Sequence, residues 1–223
     1  MSAPGYSLLV ADWRRRVHAL YRQVRSLAAD PAHGPEAAHG LWVRERSALF
    51  AEHPASPRSG EQRLVHAPYD PRYRFEVAIT LDEGEPARLD VTTGTDGVVP
   101  FERVGRVALP LPDDPAETLD VWWLASYGGG LFVPFRDGTA GRTTYGAGRY
   151  LIDTVKGAEL GLSGGEAARA PGAAGALWVL DLNFAYNPSC VYDYRWACPL
   201  APAGNRLTAA VPVGELLPEG YAG

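Results

Sequence analysis

The chain has 223 residues, of which 46% are hydrophobic and 21% charged, with a formal net charge of −5. These values are typical of a globular protein with one domain, with or without a helical extension. The negative charge argues against a general nucleic-acid binder, because such proteins need a basic face for the phosphates. The first apolar run, 6–11, is too short for a signal peptide or membrane span, so we expect a cytoplasmic protein.

The N-terminal part of the chain is predicted to be helical. Hydrophobic residues recur every three or four positions over 10–28, which predicts an amphipathic helix. We expect its Trp13 face to pack on the protein's own core and not on a membrane surface. A second helix is predicted over 36–52 and is followed by a linker rich in proline and serine. We therefore divide the chain into a helical segment, 1–60, and a β domain, 61–223.

From residue 72 onward the hydrophobic period changes from helical to alternating, which predicts β-strands with one buried face. Glycine, aspartate and proline separate the strands, and no helix-length pattern lies between them. The sequence therefore predicts an α+β, mainly β fold, in which the N-terminal helices pack on an antiparallel β-sandwich or barrel. The predicted strands are 74–81, 87–93, 99–109, 118–126, 130–136, 148–155, 176–186 and 206–213.

Ser163 lies in the sequence Gly-Leu-Ser-Gly-Gly, which matches the nucleophile motif of serine hydrolases. That motif needs a strand before the serine and a helix after it, whereas 161–175 is rich in glycine and alanine and is predicted to be a surface loop. The order His66, an aspartate such as Asp90 or Asp120, and then the serine also occurs in trypsin-like enzymes. A serine hydrolase that uses Ser163 is therefore a remote alternative.

Motifs for cofactors and metals are incomplete. The Gly-Ala-Gly run at 146–148 lacks the third glycine of a dinucleotide site, and Lys156 lacks the upstream glycines of a P-loop. Cys190 and Cys198 lack the short paired spacing of a structural zinc site. We therefore expect no cofactor and no metal.

Cys190 is a candidate nucleophile. A thiol becomes reactive beside a base or a cation; Arg195 and Arg149 are possible cations, and His66 is a distant possible base. The alternative is a buried, unreactive thiol, because an unpaired cysteine is among the most buried residue types. Only Cys198 accompanies it, and no secretory context is evident, so we expect no structural disulfide.

Four segments of the second half resemble a known family when they are taken in this order. They read FRDGT at 135–139, TYGAGRYL at 144–151, LDLNFAYNPSCVY at 180–192, and CPLAP at 198–202 followed by NRL and GE. Together they resemble the uncharacterised bacterial and archaeal family of domain of unknown function 1684. The family often has an aromatic residue where this chain has Leu182. The resemblance implies candidate residues and supports the fold, but it implies no reaction.

The segment after the predicted strand at 176–180 is unusually polar and aromatic for a β core. Strand alternation places Asp181 and Asn183 on one face, and the Asn187-Pro188 step then forces a turn. We therefore predict a site here, with Asp181 as the candidate base and Cys190 as the other candidate catalytic residue. The candidate ligand-binding residues are Tyr145, Arg149, Tyr150, Asn183, Tyr186, Asn187, Tyr192 and Asn205.

Arg149 is predicted to hold an anionic group and to lie within salt-bridge reach of Asp181, facing a shared cavity. The two strands that carry these residues flank one loop, so we expect them to be hairpin neighbours. The predicted function is a binding domain for a small anionic molecule, extending to a cofactor-independent enzyme. The alternative is a non-enzymatic structural or protein-interaction module, in which the same side chains only hold the loop in place.

Overall fold

The structure is a computed structural model, and its N-terminal part is helical as predicted. Helix α1 spans Pro4–Ala29 and helix α2 spans Gly34–Glu52. A short turn joins them, in which the Asp30 side chain accepts hydrogen bonds from the Ala32 amide and the His33 ring. The residues that the structure describes are 4–58, 60–93, 97–114, 116–125, 127–163, 175–196 and 198–221.

The described strands form two sheets, and all pairings between them are antiparallel. The strands are β1 Arg74–Val77, β2 Thr80–Leu81, β3 Arg88–Thr93, β4 Gly97–Leu109, β5 Glu117–Leu124, β6 Leu131–Phe135, β7 Arg149–Asp153 and β8 Trp178–Asp181. The larger sheet has six strands. Five follow the order β2-β4-β5-β6-β7, and β3 also pairs with β4. The smaller sheet pairs β1 with β8. This confirms the α+β, mainly β fold, and the sheet is not closed into a barrel.

The predicted strand at 206–213 is wrong. Its alternating apolar residues, Leu207, Val211 and Val213, are buried as a strand would bury them. The backbone of this segment nevertheless pairs mainly with side chains: Glu117 accepts from two of its amides, and Arg149 donates to two of its carbonyls. The alternation therefore reports which residues are buried, but distant side chains take the place of the neighbouring strand.

The predicted strand at 176–186 is also shorter than expected. Strand β8 ends at Asp181, and residues Leu182–Phe184 form a 3₁₀ turn. The Asp181 carboxylate accepts a hydrogen bond from the Asn183 amide, which caps this turn. Of the predicted loop at 161–175, residues 164–174 lie outside the described part of the chain.

Two apolar clusters form the main core. One lies between the strands and the 207–213 segment and includes Leu109, Phe135 and Leu180. The other joins the helices to the larger sheet and includes Leu20, Tyr21, Val24, Trp42, Phe101, Phe132 and Tyr150. The predicted packing of the helices on the β core is therefore confirmed.

Trp13 lies in a third, smaller cluster. Its ring is 5.2 Å from the ring of Phe50 in α2, measured between centroids, and the same cluster contains Val191 and Tyr192. The two helices thus close over the loop that follows β8. No helix in the described part of the chain is long and apolar enough to cross a membrane.

Candidate functional site

Arg149 begins strand β7, and its side chain is completely buried. Nη2 donates to Asp137 Oδ2 and to the Val211 carbonyl, both at 2.8 Å, and Nη1 donates to the Val213 carbonyl. Burial lowers the pKa of the guanidinium, and the Asp137 charge opposes that shift. Within the described residues its polar contacts are internal, so this arginine holds the 211–215 segment against the sheet.

The predicted pair between Arg149 and Asp181 is wrong. Strand β7 pairs with β6, whereas β8 pairs with β1, so the two residues are not on neighbouring strands of a hairpin. One isolated bridge, Tyr150 to Tyr186, links the two regions. The arginine that lies opposite Asp181 is Arg74 in β1, and its charge partly opposes the rise in the carboxyl pKa that burial causes.

Asp181 and Asn183 form a compact hydrogen-bonded unit with the 69–70 segment. The Asn183 side chain donates to Asp181 Oδ1 at 2.7 Å and to the Asp70 carbonyl at 2.9 Å, and its Oδ1 accepts from the Asp70 amide. The Tyr69 hydroxyl donates to Asp181 Oδ2 at 3.3 Å. Burial raises the pKa of Asp181, and the hydrogen bonds from Asn183 oppose that shift. Asn183 therefore positions the backbone, and Asp181 is a desolvated carboxyl.

Three further predicted ligand-binding residues also make internal contacts. Asn205 accepts from Trp122 Nε1 and donates to the Asp120 carbonyl, both at 2.8 Å. The Tyr150 hydroxyl donates to the Pro199 carbonyl at 2.7 Å, and the Tyr186 hydroxyl to Asp153 at 3.4 Å. These contacts connect loops to strands, as the structural alternative expects.

Glu215 is the centre of a buried network that sequence reasoning missed. Its carboxylate is fully buried and accepts from Arg46 Nη2 at 3.0 Å and from the Asn187 amide at 2.8 Å. The Tyr192 hydroxyl donates to the other oxygen. The Arg46 guanidinium also lies 4.9 Å from the Tyr186 ring centroid, so three predicted residues contact the Arg46–Glu215 pair: Tyr186 contacts Arg46, and Asn187 and Tyr192 contact Glu215.

Gly214 permits this placement of Glu215. Its φ is +80°, and an added Cβ would lie 2.8 Å from the carbonyl oxygens of Leu182 and Ala185. A side chain at 214 would therefore push the backbone away from the 182–185 turn. The Gly-Glu step at 214–215 belonged to the family resemblance, and this signal could have pointed to Glu215.

Unpaired polar atoms are concentrated around the same network. Among the described residues, buried side-chain atoms without a hydrogen-bond partner include His39 Nε2, Arg46 Nε, His66 Nε2 and Asn187 Oδ1. Burial lowers the pKa of His39 to about 4 and also lowers that of His66, so both imidazoles are neutral at neutral pH. Each unpaired atom costs about 1–3 kcal/mol, and buried water is the usual partner for such groups.

A groove of about 1060 Å³ lies between α1 and the smaller sheet, and we call it the α1–β8 groove. Asp181 and three arginines line it. Arg25 pairs with Glu159 at 2.8 Å, and Arg74 pairs with Glu76 at 3.4 Å. The lining residues are Arg22, Arg25, Ser26, Ala28, Ala29, Asp30, Pro35, Arg74, Glu76, Leu160, Gly161, Leu162, Ser163, Val179, Asp181 and Phe184.

Ser163 lies at this groove, but its environment is not that of a hydrolase nucleophile. Its hydroxyl donates to Glu76. No hydrogen bond joins it to a histidine within the described part of the chain, and His66 contacts Trp42 beside the Glu215 network. The geometry therefore assembles no triad around this serine.

Cys190 and Cys198 are both free thiols and both half-buried. The Cys190 amide donates to the sulfur of Cys198 at 3.3 Å, and the Tyr145 hydroxyl lies 3.9 Å from the sulfur of Cys190. Tyr145 is thus a predicted ligand-binding residue that contacts the candidate catalytic residue Cys190. Across the described ranges, histidine, cysteine, aspartate and glutamate form no group of three that could hold a metal.

The fold and the site together define an α+β protein whose N-terminal helices cover an antiparallel β core and supply Arg46 to the buried Glu215. The model of the family described as "Protein of unknown function (DUF1684)" matches residues 62–216, so the chain belongs to this family. Among solved structures, it is similar to the solution NMR structure of an uncharacterised protein from gene locus rrnAC0354 of Haloarcula marismortui. That likeness has a TM-score of 0.55 and 30% identity, over 78% of this chain and 89% of that one. No curated protein matches.

Proposed function

We propose that the protein binds a small molecule with an anionic group in the α1–β8 groove. The observation that carries the proposal is the convergence of Arg22, Arg25 and Arg74 on one groove beside the desolvated carboxyl of Asp181. An arginine side chain presents a planar fork of donors that matches a carboxylate or a phosphate. Such a cluster is well suited to fix the charged end of a ligand.

Two of these arginines are available to a ligand. Arg22 is exposed and has no ion pair among the described residues. Arg74 makes a long contact of 3.4 Å with Glu76, and an anion can replace it at little cost because both side chains are partly exposed. Arg25 also donates to the Glu159 carbonyl, so it contributes charge and a fixed wall.

The rest of the lining limits the chemistry of the ligand. Leu160, Val179 and Phe184 offer apolar contacts, and the volume of about 1060 Å³ is at the upper end of typical ligand sites. Glu76 and Asp181 also line the groove, so a purely anionic molecule would be repelled there. The ligand that fits is a small hydroxy or amino acid, whose anionic end meets arginine and whose donor end meets a carboxylate.

Asp181 gives the site a candidate acid or base. Burial raises its pKa, which moves a carboxyl toward the range where it exchanges protons near neutral pH. If the bound molecule is also a substrate, the protein is a cofactor-independent enzyme in which Asp181 exchanges a proton with that molecule. The cytoplasm of a bacterium is the setting that we propose, because two cysteines in 223 residues do not make the disulfide framework of a secreted domain.

A structural or protein-interaction module is the second candidate, and one observation favours it. Arg149, Asn183 and Asn205 use nearly all of their hydrogen-bonding groups on the protein itself. Residues of this kind in the family signature stabilise the conformation of a loop, and they do not identify a binding partner.

A thermal-shift screen of hydroxy acids, amino acids and sugar phosphates tests the proposal. A ligand at 100 times its dissociation constant stabilises the folded state by about 2.7 kcal/mol. We expect a stabilising ligand among the hydroxy or amino acids, and we expect Arg74→Gln to abolish its effect. Arg88→Gln is the matched control, because Arg88 is exposed on β3 and pairs with Asp90.

The proposal fails if no member of the panel raises the melting temperature. It also fails if the stabilising ligand acts equally on Arg74→Gln and on the control variant. A response lost in Arg74→Gln and retained in Asp181→Asn shows that the arginine carries the binding and that the Asp181 charge is not needed for it.

A further inference from the structure

The two cysteines form a hydrogen-bonded pair in a part of the molecule separate from the α1–β8 groove. Cys190 lies in the 3₁₀ turn Ser189–Val191, and Cys198 follows eight positions later. The Cys190 amide donates to the Cys198 sulfur at 3.3 Å, and the Cys190 thiol is also hydrogen-bonded to that sulfur. Two thiols that already touch can form a bond without a large backbone movement.

The surroundings favour a thiolate at Cys198. The Cys190 thiol and amide both direct hydrogens to its sulfur, and the Lys156 charge adds a smaller attraction. These contacts lower the pKa of Cys198, and the hydrogen bond to Cys198 together with burial raises the pKa of Cys190. Because the Cys190 amide donates to the Cys198 sulfur, a negative charge is better stabilised there, and Cys198 is the better nucleophile of the pair.

Lys156 is the only lysine of the chain, and an ion pair orients its ammonium group. Nζ lies 2.8 Å from Asp153 Oδ2 and 5.4 Å from the Tyr150 ring centroid. The Tyr150 hydroxyl in turn donates to the carbonyl of Pro199, the residue after Cys198. Lys156 is therefore a positioning residue that keeps a positive charge beside the cysteine pair.

We propose that Cys198 and Cys190 form a reversible intramolecular disulfide when the protein meets a hydroperoxide. The Cys198 thiolate attacks the terminal peroxide oxygen, a sulfur–oxygen bond forms and the oxygen–oxygen bond breaks. The alkoxide or hydroxide that leaves takes up one proton from the solvent to become an alcohol or water, and Cys198 is left as a sulfenic acid. Cys190 then attacks this sulfur, the disulfide forms, and the hydroxyl departs with the Cys190 proton as water. A dithiol reductant restores both thiols by exchange.

The disulfide forms in a segment that packs against the hydrophobic core. The residues after Cys190, Val191 and Tyr192, pack against Phe50 of α2, and the Tyr192 hydroxyl donates to Glu215. A covalent link beside this turn restrains the contact between the helices and the β core. The cysteine pair thus has a structural route to the Arg46–Glu215 network, and the proposal does not depend on a ligand in the groove.

The test treats the reduced full-length protein with hydrogen peroxide and follows intact mass and free thiols. We expect both thiols to be lost together, a mass lower by two hydrogens, no covalent dimer, and full recovery with dithiothreitol. In Cys190→Ser, dimedone should trap a sulfenic acid at Cys198. In Cys198→Ser, the remaining thiol should react at least about tenfold more slowly.

The Lys156→Gln variant distinguishes an electrostatic effect of Lys156 on Cys198 from an effect on the fold. We expect the pH midpoint of Cys198 alkylation to rise in this variant, while circular dichroism remains that of the wild type. The proposal is overturned if peroxide leaves both thiols intact or oxidises one of them to a sulfinic acid without a disulfide. It is also overturned if the two serine variants react at the same rate as a free cysteine.

Discussion

Replacing Arg149 by alanine should destabilise the protein strongly. The guanidinium is completely buried and donates to the Asp137 carboxylate and to the carbonyls of Val211 and Val213. Its removal leaves a buried carboxylate without its counter-charge, which costs about 3–5 kcal/mol. The freed carbonyls add to this cost, because they lie in a segment that no strand pairs with along its length.

The effect is large enough to be measured by thermal unfolding. For a chain of this size, each kcal/mol lowers the melting temperature by about 2–4 °C, so we expect a decrease of roughly 6–20 °C. Arg149→Lys should recover only part of the loss, because an ammonium group cannot reach the same acceptors as a planar fork. Arg88→Ala should change the melting temperature by no more than about 2 °C, since Arg88 is exposed. A decrease of the same small size in Arg149→Ala would refute the assignment of Arg149 to architecture.

Three further outcomes follow from the buried groups. Glu215→Gln should lower the free energy of unfolding, measured with urea, by about 3–5 kcal/mol, because Arg46 then keeps an uncompensated buried charge. A decrease of less than about 1 kcal/mol would contradict this. The pKa of His39 falls to about 4 on folding, so the unfolded chain binds more protons between about pH 6.5 and 4. The free energy of unfolding should therefore decrease as the pH falls through this window, and the decrease should be smaller in His39→Phe. The same dependence on pH in this variant would show that His39 is not its source. Thiol titration of unreduced, freshly purified and denatured protein should find both Cys190 and Cys198 free, and finding neither would contradict a reduced resting state.

Local sequence patterns predicted the elements well and their pairing less well. The period of three to four residues located both helices, and alternation located most strands, because each reports which face of an element is buried. The same alternation over 206–213 predicted a strand that is absent. Alternation reports burial only, and here Glu117 and Arg149 supply the partners that a strand would have supplied.

The candidate site was predicted in part, for a related reason. Asp181 does line a groove beside arginines, as expected, but the arginine opposite it is Arg74 and not Arg149. Predicting which arginine lies opposite Asp181 requires the order of the strands in the sheets. A local sequence pattern does not contain that order. The contact between Arg46 and Glu215 joins residues 169 positions apart, and no periodicity connects them.

Side-chain NMR of the arginine Nε–H groups tests the central claim most directly, with the hydroxy or amino acid that stabilises the protein most as the titrant. The account predicts that the signals of Arg22 and Arg74 move on titration and saturate together, because both line the α1–β8 groove. It predicts that the Arg149 signal stays in place, because that guanidinium is bonded inside the core. Movement of Arg149 with Arg22 and Arg74 unchanged would contradict the account and return the site to the position that the sequence alone suggested.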